Sequence, residues 1–278
     1  MRRTLSELVR SALVDRALED ARRLAFGRVA EQYDLVRPSY PEAMIDDLIA
    51  AGPITPPGRL LDVGAGTGKL TRLLAERGFG VLALEPSPSM ASVAQRHCAE
   101  FPLVDVAMTD FEHWRGQERF GALVSAQAWH WITPELRYRL AARALTPGGV
   151  LAAIWTFPDW GPCQLRDALR EVYRSTAAEL TADFPMHPDS RPTSLASDWE
   201  AEIHSSEGFA HPQVITYPWT CTYSAREYVE LVGTHQDHIL LEASDRARLF
   251  EAIKRTIAGV GGCLEISYVT RLCLARRR

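Results

Sequence analysis

Residues 59–74, RLLDVGAGTGKLTRLL, constrain the fold more than any other stretch of the chain. An apolar run is followed by glycines at positions 64, 66 and 68 and then by an amphipathic run. Glycine tolerates positive φ and lets the backbone approach a ligand closely. The pattern therefore predicts a buried strand, a tight turn and a helix. A ligand is expected at the turn, because open α/β sheets bind ligands at the carboxyl ends of their strands.

The same alternation continues from about residue 41 to residue 156. The predicted strands LLDV, VLAL, ALVSA and VLAAI are nearly unbroken apolar runs, separated by helical patterns. Such strands are typical of a parallel sheet covered by helices on both faces. The sequence after Trp155 is richer in proline and serine and predicts a helical insertion at about residues 157–209, before two further strands. Residues 1–40 are predicted to form an N-terminal helical lid segment, although packing of this helix against the body remained the alternative.

Charge and cysteine content argue against several functional classes. The formal net charge is −4, so the sequence lacks the excess of basic residues that is typical of nucleic-acid-binding proteins. The five cysteines are odd in number and lack metal-type pairs, which favours reduced thiols in a cytoplasmic protein and no bound metal. The sequence has no run of eighteen apolar residues, so no membrane span is predicted. A monomer or a homodimer is expected.

The spacing of the glycines distinguishes this turn from two common nucleotide-binding motifs. A dinucleotide site of the G-x-G-x-x-G type would place glycine at position 69, which is Lys69, and no G-K-[ST] sequence ends the turn as a phosphate loop would require. Glu85 ends the next predicted strand, where a carboxylate can accept both hydroxyls of a ribose. Asp110 and Phe111 follow the third strand and could accept the amino group of an adenine and wall its ring. The acid at the second strand does not by itself exclude NAD.

Several segments together resemble a known family: LLDVGAGTGKLT, LALEPSPSM, TDFEHW, SAQAWHW and LTPGGVLAAIW. They are similar to class I S-adenosylmethionine-dependent methyltransferases, and more narrowly to the methyltransferase type 11 and trans-aconitate methyltransferase-like group. The leading segment FGRVAEQYDLVRPSYP is also similar to this group. The resemblance implies a Rossmann-like α/β fold, a doubly wound, mostly parallel seven-stranded sheet whose last strand is antiparallel, spanning residues 41–278.

The resemblance also implies the cofactor, S-adenosyl-L-methionine, and its binding residues. Asp62 and the glycine turn would hold the methionine end, Glu85 the ribose, and Asp110 with Phe111 the adenine. Gly68 would let the next helix start close to the first strand. The implied cofactor-binding residues are Tyr33, Arg37, Asp62, Gly64, Ala65, Gly66, Gly68, Glu85, Pro86, Met90, Asp110, Phe111 and Gln127.

Candidate residues for the chemistry lie beyond the fourth strand. His130 is the candidate general base because the pKa of histidine lies near neutrality, with a structural histidine as the alternative. The candidate substrate-binding residues are Trp129, Trp131, Trp155, Trp160 and His235. Core packing is the alternative for the tryptophans, at least two of which are expected in the core. His235 and His238 lack a third metal ligand with clear spacing.

The predicted function is transfer of a methyl group from S-adenosylmethionine to an oxygen or carbon nucleophile of a small-molecule acceptor. Methyl transfer from a sulfonium needs alignment of the reactants above all, and a general base only for some acceptors. The alternatives are a methyltransferase-like module that binds the cofactor without turnover, and a nicotinamide-dependent oxidoreductase. The latter would need a glycine at position 69.

Overall fold

The computed structural model describes residues 29–180, 186–190 and 197–278. The helices are α1 (Ala30–Val36), α2 (Glu42–Ala51), α3 (Lys69–Glu76), α4 (Pro88–His97), α5 (Pro134–Ala144), α6 (Gln164–Thr176), α7 (Ser197–Ser205), α8 (Ala225–Val232), α9 (Gln236–Ile239) and α10 (Ala243–Gly259). The strands are β1 (Arg59–Val63), β2 (Gly80–Leu84), β3 (Val104–Ala107), β4 (Phe120–Ala126), β5 (Leu145–Pro158), β6 (Gln213–Ser224) and β7 (Cys263–Arg276).

The seven strands form one sheet in the order β3-β2-β1-β4-β5-β7-β6. Neighbouring strands from β3 through β5 pair in parallel, whereas β7 pairs antiparallel with both β5 and β6. The predicted Rossmann-like, mostly parallel sheet with an antiparallel last strand is therefore confirmed. The order reverses at β1, which places the glycine turn at the switch point of the sheet.

Alternate residues of each strand contribute to two separate hydrophobic cores, because successive side chains of a strand point to opposite faces of the sheet. Leu60 packs with α2 and α3 on one face, whereas Leu61 packs with α5 and α7 on the other. Ile154 and Trp155 divide in the same way. Apolar side chains on both faces explain why the strands read as continuous apolar runs.

The antiparallel pair of β6 and β7 extends beyond the end of β5. Tyr268 of β7 pairs with Pro158, the last residue of β5, but β7 remains paired with β6 back to Cys263. The extension packs with α6, α8 and α10 in a third hydrophobic cluster. These elements thus form a wall beside the carboxyl ends of the central strands.

Helix ends follow local chemistry. Ser224 and Glu227 form the capping box at the start of α8 that their spacing suggests: each side chain accepts a hydrogen bond from the other residue's backbone N–H. The turn after α3 contains Gly78, whose φ of 84° needs a residue without Cβ.

The predicted division of the chain into a lid segment and a core domain remains a prediction. Residues 1–28 of the 1–40 segment lie outside the described residues, as do residues 181–185 and 191–196 of the insertion. The described part of the insertion contains α6 and α7. All five cysteines have free thiols. Within the described ranges, no helix has the length and apolar character needed to cross a membrane.

Candidate functional site

A cavity of about 360 Å³ lies at the carboxyl edge of the sheet. One end, here the glycine end, is lined by the turn at Gly64 and Gly66 and by Glu85 after β2. The opposite end, here the aromatic end, is lined by Trp155 near the end of β5 and by Tyr268 of β7. The cavity therefore crosses the sheet from β2 to β7 and joins the two predicted halves of the site.

Most of the residues predicted from the sequence line this cavity. They are Tyr33, Arg37, Asp62, Gly64, Ala65, Gly66, Glu85, Pro86, Met90, Asp110, Phe111, Gln127, His130, Trp131, Trp155 and His235. They come from seven separate stretches of the chain. The structure thus brings them together in one cavity.

Three predicted residues lie outside the cavity wall. Trp129 is fully buried and packs edge-on against Tyr138 at 5.8 Å between ring centroids. Trp160 packs edge-on against Tyr228 in the third cluster. Both tryptophans are core residues in this structure, which corrects the prediction that they contact substrate. The single turn Trp129–Trp131 directs its first ring inward and its other two residues toward the cavity.

Gly68 is the third residue outside the wall, and its close neighbour differs from the one expected. Its φ is 83°, and a Cβ there would lie 3.2 Å from the Cα of Ala94 and 3.4 Å from the Sγ of Cys98. Gly68 therefore allows close packing against α4, rather than against the first strand.

The glycine turn combines positive φ with open backbone. Gly64 has φ of 73°, and a Cβ there would lie 2.4 Å from the Cβ of Ala128. Gly66 has φ of 59°, and its Cβ would meet no atom within 4 Å. The first glycine is thus required by packing, whereas the second leaves the backbone open to a ligand.

Two carboxylates frame this turn. Glu85 accepts hydrogen bonds from the N–H of Gly66 at 2.9 Å and from the N–H of Ser87 at 2.8 Å. Asp62 is buried and accepts a hydrogen bond from the hydroxyl of Thr71 at 2.6 Å. Burial raises the pKa of Asp62 to about 7, and the nearby charge of Glu85 adds to this effect. A cation that binds beside the Asp62 carboxyl group would therefore favour its ionised form.

The adenine-side candidates differ in exposure. Phe111 and Met90 are buried and present apolar walls. Asp110 accepts a hydrogen bond from the backbone N–H of His113 at 2.8 Å. That bond fixes the turn after β3, so the carboxylate is held at the cavity wall.

Gln127 is a non-glycine residue with positive φ, at 58°. Its backbone N–H donates to the carbonyl of Ile154 at 2.8 Å, and its side-chain Nε2 donates to the carbonyl of Thr156, also at 2.8 Å. Backbone strain of this kind persists only where surrounding contacts enforce it, and it clusters at functional sites.

His130 lies between Trp131, at 4.7 Å between ring centroids, and the positive charge of Arg137. Its ring is accessible from the cavity but densely surrounded by protein. This desolvation, with the charge of Arg137, lowers the pKa of His130 to about 4. His130 is therefore neutral at physiological pH, and it is a weaker base than an ordinary histidine.

Arg37 connects the leading segment to the far wall. Its Nε donates to the hydroxyl of Thr234 at 2.9 Å, and a terminal nitrogen donates to the carbonyl of Thr234 at 3.2 Å. Its guanidinium also lies 4.8 Å from the centroid of the Tyr33 ring. The segment predicted to cover the site is thus fixed to the turn after α8.

Comparison with known proteins agrees with this architecture. Residues 60–149 match the family model described as a methyltransferase domain. The chain is 40% identical over 136 residues to an uncharacterized methyltransferase of Mycobacterium tuberculosis, covering 49% of this chain and 54% of that protein. It is 32% identical over 114 residues to trans-aconitate 2-methyltransferase of Streptomyces avermitilis, covering 38% of this chain and 42% of that protein.

Residues 60–149 have the sequence of a methyltransferase domain.

A solved structure shares the fold of this chain. It is a candidate type II methyltransferase from Anaeromyxobacter dehalogenans, 23% identical with a TM-score of 0.57, and the match covers 86% of this chain and 97% of that one. The chain spans about half the length of the curated relatives it matches, with 54% coverage of the M. tuberculosis protein. Residues 60–149, which match the family model, contain the glycine turn, all of β1 except Arg59, and β2 to β4.

The cavity also contains residues that the sequence did not single out. They are Tyr40, Lys69, Glu112, Thr156, Phe157, Met186, Trp199, Leu231, Gln236, Asp237 and Tyr268, among others. Gln236 and Asp237 stand between His235 and His238, the two histidines of the segment GTHQDHIL. Of that pair only His235 lines the cavity, because His238 is buried with its Nε2 at 2.9 Å from the hydroxyl of Tyr173. Within the described ranges, no three metal-binding side chains cluster.

Proposed function

We propose that the protein transfers a methyl group from S-adenosylmethionine to an oxygen or carbon nucleophile of a small-molecule acceptor. One observation carries the proposal. The same cavity joins a glycine turn with a carboxylate to an aromatic wall that includes Trp131, Trp155 and His130. Such a site offers different chemistry at its two ends, which suits a cofactor at one end and an acceptor at the other.

The residues at the glycine end fit the cofactor. The open backbone at Gly66 offers a close approach to a nucleoside, and Glu85 can accept hydrogen bonds from its ribose. Asp62 can pair with the amino group of the methionine part, which would favour the ionised carboxyl. When bound, S-adenosylmethionine supplies a methyl group already activated on a sulfonium sulfur. These residues bind it and fix its direction.

The residues at the aromatic end orient the acceptor. Orientation of reactants can contribute on the order of 7–11 kcal/mol to catalysis, so placement outweighs acid–base chemistry here. His130 is neutral and faces the cavity, so its ring can accept a proton or a hydrogen bond from an acceptor hydroxyl. A cavity of about 360 Å³ suits a small molecule rather than a polymer.

Two alternatives make different predictions. A nicotinamide-dependent oxidoreductase would need a glycine where Lys69 stands, and Lys69 instead donates to the carbonyl of Asp34 at 2.5 Å. A module that binds the cofactor without turnover would keep the glycine turn but transfer no methyl group. A cytoplasmic location and a monomeric or homodimeric state remain predictions from the sequence.

Calorimetry with S-adenosylhomocysteine and with NADH, followed by incubation with labelled S-adenosylmethionine and a metabolite extract, tests the proposal. We expect micromolar binding of S-adenosylhomocysteine, no binding of NADH, and label in a small-molecule fraction. Binding of NADH alone would favour the oxidoreductase. Binding of S-adenosylhomocysteine with no label transfer to any acceptor would favour the non-catalytic module.

A further inference from the structure

One turn of the cavity wall presents three consecutive lining residues with unpartnered polar atoms. The buried atoms Nε2 of His235, Oε1 of Gln236 and Oδ2 of Asp237 have no hydrogen-bond partner within the described structure. His235 and Asp237 are 8% and 6% exposed, so neither is freely solvated. Buried polar groups of native proteins are almost always paired. Three adjacent exceptions in a cavity wall indicate that a ligand pairs with them.

The neighbours of Asp237 leave its carboxylate in need of a donor. Nδ1 of His238 lies 3.2 Å from Oδ2 of Asp237, but without the alignment that a hydrogen bond requires. Burial, with the positive charge of Arg37, holds the pKa of His235 well below its usual range. His235 is therefore neutral, and two of the three groups, the Gln236 carbonyl and the Asp237 carboxylate, can only accept hydrogen bonds.

The charges around this turn disfavour an acidic ligand. Within the described part of the wall, the cations are Arg37 and Lys69, and both have partners. Arg37 donates to Thr234, and Lys69 donates to Asp34. A buried carboxylate at Asp237 would also repel a second carboxylate. A ligand rich in carboxylates would therefore lack a free cation in the described wall.

The turn needs hydrogen-bond donors on the ligand, whereas Trp199 needs an acceptor. Its indole Nε1–H is buried without a partner in the described structure, and its ring stacks on Trp155 at 4.8 Å between centroids. An indole N–H can only donate, so it calls for an acceptor atom on the ligand. A hydroxyl group both donates and accepts, whereas an ammonium group only donates. Hydroxyl groups therefore satisfy both the turn and the indole.

The aromatic side chains of the wall determine what shape and polarity the rest of the ligand should have. Trp131, Trp155, Phe157 and Tyr268 line the cavity with aromatic rings. Aromatic side chains favour flat apolar partners through stacking and edge contacts.

On the basis of the proposed methyl transfer, we propose that the acceptor is an uncharged, hydroxylated ring compound whose hydroxyl groups are held by His235, Gln236 and Asp237. One hydroxyl or a ring carbon beside it then receives the methyl group. On that nucleophile a bond to the methyl carbon forms as the carbon–sulfur bond breaks, the sulfur keeps the bonding electrons, and the released proton passes to a base or to water. This inference deepens the proposed function, because it names the class of acceptor.

Three naphthalenes of matched ring size test the inference: 2,3-dihydroxynaphthalene, naphthalene and naphthalene-2,3-dicarboxylate. Their binding is measured by quenching of tryptophan fluorescence, with S-adenosylhomocysteine present and its own binding determined by calorimetry. We expect the dihydroxy compound to bind about tenfold more tightly than the other two, since hydrogen bonds to charged groups are the stronger ones. In Asp237→Asn this advantage should fall about tenfold, and in Asp167→Asn, an exposed control on α6, it should not change.

Equal or tighter binding of the dicarboxylate would overturn the inference. So would an unchanged advantage in Asp237→Asn with calorimetric binding of S-adenosylhomocysteine intact, or failure of all three naphthalenes to bind beside S-adenosylhomocysteine. Failure of the wild-type protein to bind S-adenosylhomocysteine would overturn the proposed function, and with it this inference. Calorimetry thus separates the two failures.

Discussion

At the glycine end of the cavity the backbone makes the site, whereas at the aromatic end side chains from distant parts of the chain make it. Residues 62–66 and 85–87 form two short contiguous segments, tied by the hydrogen bond from Gly66 to Glu85. The aromatic end joins Trp131, Trp155, Trp199 and Tyr268, which lie on four separate elements. A contiguous turn tolerates little change in its residues. A wall assembled by packing can change its ligand while the fold is kept.

The largest effect is expected from a substitution in the glycine end. Gly64→Ala places a Cβ 2.4 Å from that of Ala128 at a positive φ, so it combines backbone strain with overpacking. We expect a loss of about 2–5 kcal/mol in the free energy of unfolding and no detectable binding of S-adenosylhomocysteine. Urea denaturation and calorimetry measure the two. Gly66→Ala is the matched control, and its loss of stability should be only about 1–2 kcal/mol because its Cβ meets open space. Equal losses in both variants would contradict this account of the turn.

The next effect concerns the carboxylate at the same end. Glu85→Gln removes the charge but keeps the shape, and we expect S-adenosylhomocysteine to bind about 10–100-fold more weakly. Calorimetry at constant pH gives the ratio. Glu118→Gln is the control, since Glu118 is exposed and pairs with Arg59 far from the ligand. Wild-type affinity in Glu85→Gln would argue against a ribose-binding role.

A third prediction uses the buried acid behind the turn. The pKa of Asp62 is about 7 in the folded protein, against an ordinary value of 3.8 for an aspartate, so folding favours the protonated carboxyl. Its contribution to stability is therefore present at low pH and is lost as pH rises through 7. Without cofactor, Asp62→Asn should stabilise the protein relative to wild type by about 2 kcal/mol more at pH 8 than at pH 5.5. Urea denaturation at both pH values measures this, and exposed Asp105→Asn should show no such difference.

The smallest effect sharpens the role of the aromatic end. His130→Ala should lower turnover about tenfold and leave the affinity for S-adenosylhomocysteine within about twofold, since the ring faces the acceptor rather than the glycine turn. The assay uses the acceptor identified by label transfer, with exposed His204→Ala as the control. Because the pKa of His130 is about 4, its protonation should not shape the turnover profile between pH 6 and pH 8. Unchanged turnover would leave His130 a structural residue.

The glycine end could be predicted from the sequence because its chemistry is local. The spacing of Gly64, Gly66 and Gly68, and the position of Glu85 after the next strand, depend only on strand and turn geometry. Gly68 shows the limit of such reasoning, because its close neighbour belongs to α4 and not to the first strand. The contact depends on how two helices pack, which no spacing records.

The aromatic end could be predicted only in part. The sequence offered Trp129, Trp131, Trp155 and Trp160 as a wall, but two of these four rings pack into cores instead. Trp199 carries no local signal at all. It reaches the wall because α7 packs against β5, where its ring stacks on Trp155.

The resemblance to a family implied the cofactor, whereas the sequence by itself determined the order of strands and helices and the glycine turn. These follow from apolar periodicity and from backbone conformations that only glycine readily adopts. The tertiary structure decided which aromatic rings face the cavity, that Arg37 is already engaged with Thr234, and that three unpartnered polar atoms lie on one turn. The physical reason is that burial and pairing belong to contacts between distant residues, and those contacts exist only once the chain is folded.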